Sequence, residues 1–269
     1  MSTVASAATL HTERALWKVV AIPSEHGGWG LTLEPVLLGL LVAPSVAGGA
    51  LAVAALLAFL VRTPLKLAVV DVRRDRWLAR SRLALRVTIV ELALLAAAVA
   101  LAVATAGLTW APVVAIAAPF VLVELWFDVR SRGRRLLPEL CGAIGISGVA
   151  AAIVLAAGRG AALASGLWIV LAARSVGAIP FVRVQIGRMR RGLRSTRSSD
   201  LAQVLAVALG VVAVVLERPL VAGLAGLAAL GVLQLVWVRR PPIAPKQLGL
   251  RLMALGLALV LVTAAGTWV

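Results

Sequence analysis

Asp71 and Asp75 stand four residues apart in the stretch Arg62-Thr-Pro-Leu-Lys66-Leu-Ala-Val-Val-Asp71-Val-Arg-Arg-Asp75. On a helix that spacing puts both carboxylates on one face, about 6 Å apart along the axis. Two such carboxylates can hold a divalent cation, Mg²⁺, that bridges to phosphate oxygens. Arg62 and Lys66 repeat the four-residue spacing one or two turns earlier and can meet phosphate charge directly. The alternative is a salt-bridged loop, because Arg73, Arg74 and Arg76 surround the two aspartates.

A second unusual segment is Ile22-Pro-Ser-Glu25-His26-Gly-Gly-Trp-Gly30. Its glycines let the backbone approach a ligand or another helix closely. His26 can act as a metal ligand or proton carrier, with Glu25 beside it, or as an interfacial packing residue. The remaining candidates are ionisable residues inside apolar runs, where a charge is costly and therefore functional by default. Glu34 precedes Pro35, Glu91 sits within a long apolar run, Glu124 and Asp128 are four apart, and Glu139 follows Pro138. Arg174 and Arg183 complete this set. For Asp128 and Glu124 a structural ion pair, such as Asp128 with Arg132, is the simpler reading.

The elements that must position these groups are membrane spans. Of 269 residues, 62% are hydrophobic and 14% charged, whereas a soluble domain carries about 25% charged residues. Long disorder and a nucleic-acid-binding domain are excluded, although the net charge is +16. A helix needs about 20 mostly apolar residues to cross the hydrocarbon layer. Apolar runs between turn signals give nine spans, at about 27–43, 47–70, 86–106, 109–128, 137–157, 162–182, 200–216, 219–238 and 247–267. The expected fold is all-α: a single polytopic helical domain after a short amino-terminal segment, 1–26. The connection from Asp71 to Leu85 is the longest and is expected to lie as a helix along the interface. Glycines inside spans (Gly142, Gly145, Gly148; Gly223, Gly226, Gly231) are read as sites of close helix packing.

The basic residues test this parse. All of the 27 except Arg159, Arg174 and Arg218 precede the first span or fall on alternate connections or the span ends beside them. Positive residues stay on the cytoplasmic side. The expectation is a cytoplasmic-membrane protein with its amino terminus inside and carboxyl terminus outside, its basic loops against anionic lipids. Glu34, Glu91, Glu124, Glu139, Arg62, Lys66 and Arg183 then share the cytoplasmic half, as the lining of one inward-facing polar cavity. The lone Cys141 excludes an intrachain disulfide and a thiolate cluster.

Pro23-Ser-Glu-His-Gly-Gly-Trp-Gly, followed by Glu34-Pro and Leu38-Leu-Gly, resembles the segment with which YwiC-like membrane proteins enter the bilayer. Arg62-Thr-Pro-Leu-Lys66 and the run from Glu124-Leu-Trp-Phe-Asp128 through Pro138-Glu139 resemble the actinobacterial branch of that family. More distantly, nine spans with an acidic motif at the inner end of span two resemble the UbiA-type intramembrane prenyltransferases. That resemblance implies a polyisoprenyl diphosphate bound through Mg²⁺ on two Asp-rich motifs. The middle and last aspartates of the first motif fall on Asp71 and Asp75, and its leading asparagine on Leu67. After span six the stretch from Arg174 to Gln185 contains no carboxylate, so Arg174 and Arg183 stand where a second metal is expected.

Three functions are compatible with these residues. The first is a reduced UbiA-like transferase, or a binder of an isoprenoid or other lipid with an anionic head, using Glu25, His26, Glu34, Arg62, Lys66, Asp71, Asp75, Arg174 and Arg183. The second is a transporter of an anionic or lipid-linked solute. The third is a non-catalytic assembly factor. All three share one topology, which single cysteines in a Cys141→Ala background test. Ser2→Cys is expected to react with an impermeant maleimide only after the cell is opened, and Val269→Cys in intact cells.

Overall fold

The computed structural model describes Trp17 and residues 20–21, 26–75, 78–130 and 135–268. Among them the chain forms nine α-helices and one short 3₁₀ turn. The helices are α1 (His26–Val42), α2 (Val46–Arg73), α3 (Ala79–Ala106), α4 (Ala111–Val129), α5 (Leu136–Ala156), α6 (Ala161–Arg191), α7 (Arg197–Leu216), α8 (Val221–Trp237) and α9 (Pro245–Gly266). Eight are long and apolar enough to cross a membrane, and α1 is a shorter apolar helix. This is a multi-pass membrane protein. Helices suit the bilayer because every backbone hydrogen bond is made within the element.

The breaks follow local chemistry. Ser45 caps α2 through its Oγ, which accepts from the Gly48 N–H at 2.9 Å. Gly107 ends α3 with φ +62°, leaving a turn of four residues before α4. Gly192 ends α6 in the left-handed region, φ +64°, where Leu193 N–H reaches back to Gly187 O and Gly192 N–H to Arg188 O. At 31 residues, α6 is about 46 Å long. It therefore outruns the roughly 30 Å hydrocarbon layer and carries Arg188, Arg190 and Arg191 beyond it.

Two boundaries differ from the sequence reading. The helix α2 continues to Arg73 and α3 begins at Ala79, so most of the interfacial connection expected over 71–85 belongs to two spanning helices, with only residues 74–78 between them. Asp75 lies in a turn there, with φ +50°. Asp71 and Asp75 are therefore not neighbours on one helix face, because the helix that would align them stops between them.

Consecutive helices pack as antiparallel neighbours, with one exception: α3 lies on α2 and α4 on α5, with hardly any contact between α3 and α4. The bundle closes between α9 and α1. Inside it, α1 packs on α2, α5, α6 and α9, and α5 on α1, α2, α4 and α6. The Arg-rich connections gather at one end, hereafter the basic end. At the opposite end the Trp268 indole N–H donates to Leu41 O, and Thr109 Oγ donates to Leu155 O.

The core has tight helix approaches. Ile153 of α5 is fully buried and inserts between α1 and α2. A Cβ on Gly39 would stand 2.8 Å from its Cβ, and one on Gly48 2.9 Å from its Cγ2. Trp168 of α6 covers Gly148 of α5 and donates its indole N–H to Ile144 O at 2.7 Å. Gly48 and Gly49 offer an internal comparison, since a Cβ on Gly49 meets nothing within 4 Å. Gly48→Ala is expected to destabilise by about 1–3 kcal/mol through overpacking. Gly49→Ala is expected to be neutral or to stabilise by up to about 1 kcal/mol through helix propensity. Thermal denaturation in detergent measures both.

Candidate functional site

Most of the charged residues singled out in the sequence become ion pairs that link different helices; Glu91 forms none among the described residues, and its buried Oε2 has no partner. Deepest is Glu34 of α1, 2% exposed, whose Oε1 accepts from Arg174 Nη2 of α6 at 2.7 Å. The same guanidinium nitrogen donates to the Leu252 carbonyl of α9 at 3.0 Å. Both charges are withdrawn from water, and each alone would cost several kcal/mol in a low-dielectric interior. Gly256, one turn beyond Leu252, makes the room. A Cβ there would run into the Glu34 carboxylate and stand 2.7 Å from Arg174 Nη2. Pro35 follows Glu34 within α1 and cannot donate the usual i→i−4 hydrogen bond.

Nearer the basic end, Arg62 and Lys66 of α2 reach across to α4. Arg62 Nη1 lies 2.7 Å from Glu124 Oε1, and Arg62 Nε donates to Asp128 Oδ2 at 3.1 Å. Lys66 Nζ donates to Asp128 Oδ1 at 2.7 Å. The four-residue spacings on the two helices are thus read against each other: each carboxylate finds its cation across the bundle, as Asp128 does with Arg62 and Lys66. The Arg132 partner weighed for Asp128 lies outside the described residues. Glu124 rests on Gly142 of α5, where a Cβ would collide with its carboxylate. This glycine therefore seats a charge as well as a helix.

Two further pairs lie at the basic end. Arg183 Nη1 of α6 donates to Glu139 Oε2 of α5 at 2.9 Å, and Glu139 lies in the first turn of α5, where a carboxylate also suits the helix dipole. Arg239 at the end of α8 grips both oxygens of Asp200 at the start of α7, at 3.1 Å each.

Asp71 is committed to the α2–α3 turn. Arg80 of α3 holds it in a two-pronged contact, Nε to Oδ2 at 3.1 Å and Nη2 to Oδ1 at 2.9 Å. Ser81 Oγ adds a third hydrogen bond to Oδ2 at 2.7 Å. Asp71 is 2% exposed, whereas Asp75 is exposed in the turn. Among the described residues no group of three His, Cys, Asp or Glu side chains could hold a metal ion. As arranged, Asp71 could serve a cation only by giving up Arg80. Glu25 lies outside the described residues, and His26 is described only as the first residue of α1.

Charge-based reading missed the neutral polar residues. Gln203 of α7 donates to Gly177 O of α6 at 2.9 Å and to Gln234 Oε1 of α8 at 3.0 Å, tying three helices together. Gln185 of α6 donates to Trp237 O at 3.0 Å. A search for every polar residue inside an apolar run, ionisable or not, would have found all three.

The model for the YwiC-like protein family matches residues 22–154. This stretch belongs to the YwiC-like family. It covers α1 to nearly the end of α5 and so includes Glu34, Arg62, Lys66, Asp71, Glu124, Asp128 and Glu139. Arg174 and Arg183, the partners of Glu34 and Glu139, lie beyond the matched stretch. No curated protein and no solved structure matches the chain.

The Glu34–Arg174 contact makes a sharp prediction. Glu34→Gln or Arg174→Met alone leaves a buried charge without its counter-charge and is expected to cost about 3–5 kcal/mol. The double variant, which removes both charges, is expected to recover a large part of that loss. Thermal midpoints of the four proteins in one detergent give the coupling directly.

Proposed function

We propose that this YwiC-like protein binds the anionic head of a lipid at the basic end of the bundle. The observation that carries the reading is the convergence of Arg62 and Lys66 of α2 on carboxylates of α4, at partly exposed positions. A diphosphate head carries negative charge of the same sign as the paired Glu124 and Asp128 carboxylates and can compete with them for both cations. The weak contact between α3 and α4 supports an amphiphilic ligand. Exposed apolar residues such as Ile89, Val90, Leu122 and Leu125 border that side of the bundle and suit a hydrocarbon chain. A polyisoprenyl diphosphate is the class that the UbiA-type resemblance favours. In this reading the basic end faces the cytoplasm, in accord with the retention of positive charge on that side. Mg²⁺ at Asp71 and Asp75 is an optional contribution, and no step depends on it because Arg80 already neutralises Asp71.

The interior Glu34–Arg174 pair favours a second reading, transport of an anionic solute. A transported anion would take the place of Glu34 on Arg174, as buried ion pairs do along solute pathways. The two readings separate in one set of measurements. The thermal midpoint of the purified protein is recorded with and without Mg²⁺ and a series of polyisoprenyl diphosphates. Ligand at about 100 times its dissociation constant adds roughly 2.7 kcal/mol. The lipid-head reading expects a diphosphate-dependent shift that Arg62→Ala/Lys66→Ala removes and Arg174→Met keeps. No shift with any diphosphate overturns it, and flux into vesicles that depends on Arg174 would put the transport reading in its place.

A further inference from the structure

A cavity of about 210 Å³ opens at the basic end between α6, α8 and α9, away from the Arg62–Asp128 cluster. Gln185, Trp237, Arg240, Ile243, Leu248 and Arg251 are among its lining residues. Liquid water takes about 30 Å³ per molecule, so the space suits a compact polar group of several heavy atoms. The loop that forms its rim is held from α6. Arg188 Nη1 donates to Val238 O and, at 2.9 Å, to Arg240 O, and Pro241 and Pro242 restrict the backbone beyond.

The chemistry of the lining is one-sided. Arg240 and Arg251 both contribute, no carboxylate does, and among the described residues neither arginine forms an ion pair. Arg251 stands over the Trp237 ring, with its guanidinium carbon 5.5 Å from the ring centre. By contrast, Arg62, Arg80, Arg174, Arg183 and Arg239 each meet a carboxylate. Gln185 adds a second, independent observation. It is 4% exposed, its Nε2 is committed to the Trp237 carbonyl, and its buried Oε1 has no partner. The amide cannot turn over without setting two carbonyl-type oxygens against each other. The cavity wall therefore holds an amide with an unsatisfied buried acceptor, together with two guanidinium groups that no carboxylate neutralises.

We propose that this cavity binds a phosphate ester that carries a hydroxyl group, with the phosphate between Arg240 and Arg251 and the hydroxyl donating to Gln185 Oε1. Guanidinium groups match phosphate oxygens in geometry and charge, and an unpaired buried acceptor selects a ligand that can donate to it. The apolar wall of Ile243, Leu248 and Trp237, at the level where α6 leaves the bilayer, suits the glycerol backbone of a lipid. A phosphatidylglycerol headgroup has all three features, and soluble glycerol phosphate has the first two. The site is separate from the Arg62–Lys66 cluster and stands or falls independently of it.

The test uses the full-length chain purified in detergent. Retention of phosphatidylglycerol and of phosphatidate, which lacks the hydroxyl, is compared by native mass spectrometry, with phosphatidylcholine as the reference. The wild-type protein is expected to retain phosphatidylglycerol over phosphatidate by about fivefold or more, the contrast one hydrogen bond supports. Arg240→Ala/Arg251→Ala is expected to lower retention of both by roughly tenfold or more. Gln185→Met is expected to abolish the preference while keeping phosphatidate bound. All variants are also compared in an Arg62→Ala/Lys66→Ala background, which removes retention at the site proposed above, so that what is lost with Arg240 and Arg251 is read alone. Competition by soluble glycerol phosphate at millimolar concentration, lost in the double arginine variant, would support the same chemistry with a free phosphate ester as the occupant. Equal retention of all three lipids by the wild-type protein, or undiminished retention by the double arginine variant, overturns the proposal. Because Gln185 also holds Trp237 O, thermal midpoints of Gln185→Met and of Arg240→Ala/Arg251→Ala are recorded beside the wild type as the folding control.

Discussion

A charge inside a helical bundle in a bilayer needs a counter-charge at hydrogen-bond distance, and the Glu34–Arg174 contact is where that requirement is most severe. Neither group can reach water, so the two helices that bear them, α1 and α6, are held in register at that level. The third helix is set by what surrounds the pair. Leu252 of α9 supplies a carbonyl to the same guanidinium, and Gly256 withholds the side chain that would otherwise fill the space. One ion pair thereby links α1, α6 and α9, at the place where the bundle closes between α9 and α1.

Towards the basic end the same rule operates with more water present and less stringency. Arg62, Lys66 and Arg183 meet carboxylates across helix boundaries at partly exposed positions, where each pair adds little stability by itself. Their effect is positional: they tie α2 to α4 and α5 to α6, and they leave cations where an anionic head can reach them. The other side of this end differs. There Arg240 and Arg251 flank a cavity without a carboxylate, next to an amide oxygen that nothing satisfies. The basic end therefore has one region that is internally neutralised and one that is not.

Much of this was visible before any coordinates. Pro138-Glu139 marked the start of α5, Gly107 and the Ala43–Ser45 break marked turns, and the distribution of arginine separated the two ends of the bundle. Ion pairing of Glu124 and Asp128 was the simpler expectation and is what the structure shows, although with α2 as the partner. The pairing of Asp71 with Asp75 was misleading, because an i, i+4 argument assumes a helix that continues. Arg80 and Ser81, nine and ten residues on from Asp71, capture its carboxylate instead and make it part of a turn. Gln185, Gln203 and Gln234 escaped attention because they carry no charge, although a buried amide imposes its own hydrogen-bonding demand.

The sequence by itself determined the number and approximate placement of the apolar helices, since apolar length and turn residues are local properties of each segment, although not how far the second, third and sixth extend at the basic end. It also determined that the basic connections share one end, because charge on successive loops can be read without knowing how helices pack. Only the tertiary structure decided which charges meet. Lys66 and Asp128 are 62 residues apart, and Glu34 and Arg174 are 140 apart. Whether two such groups touch depends on which helix faces which, and that is set by where Gly39, Gly48, Gly142 and Gly256 leave room for a neighbour. Space between helices is a property of the packed bundle, and no spacing along one chain segment encodes it.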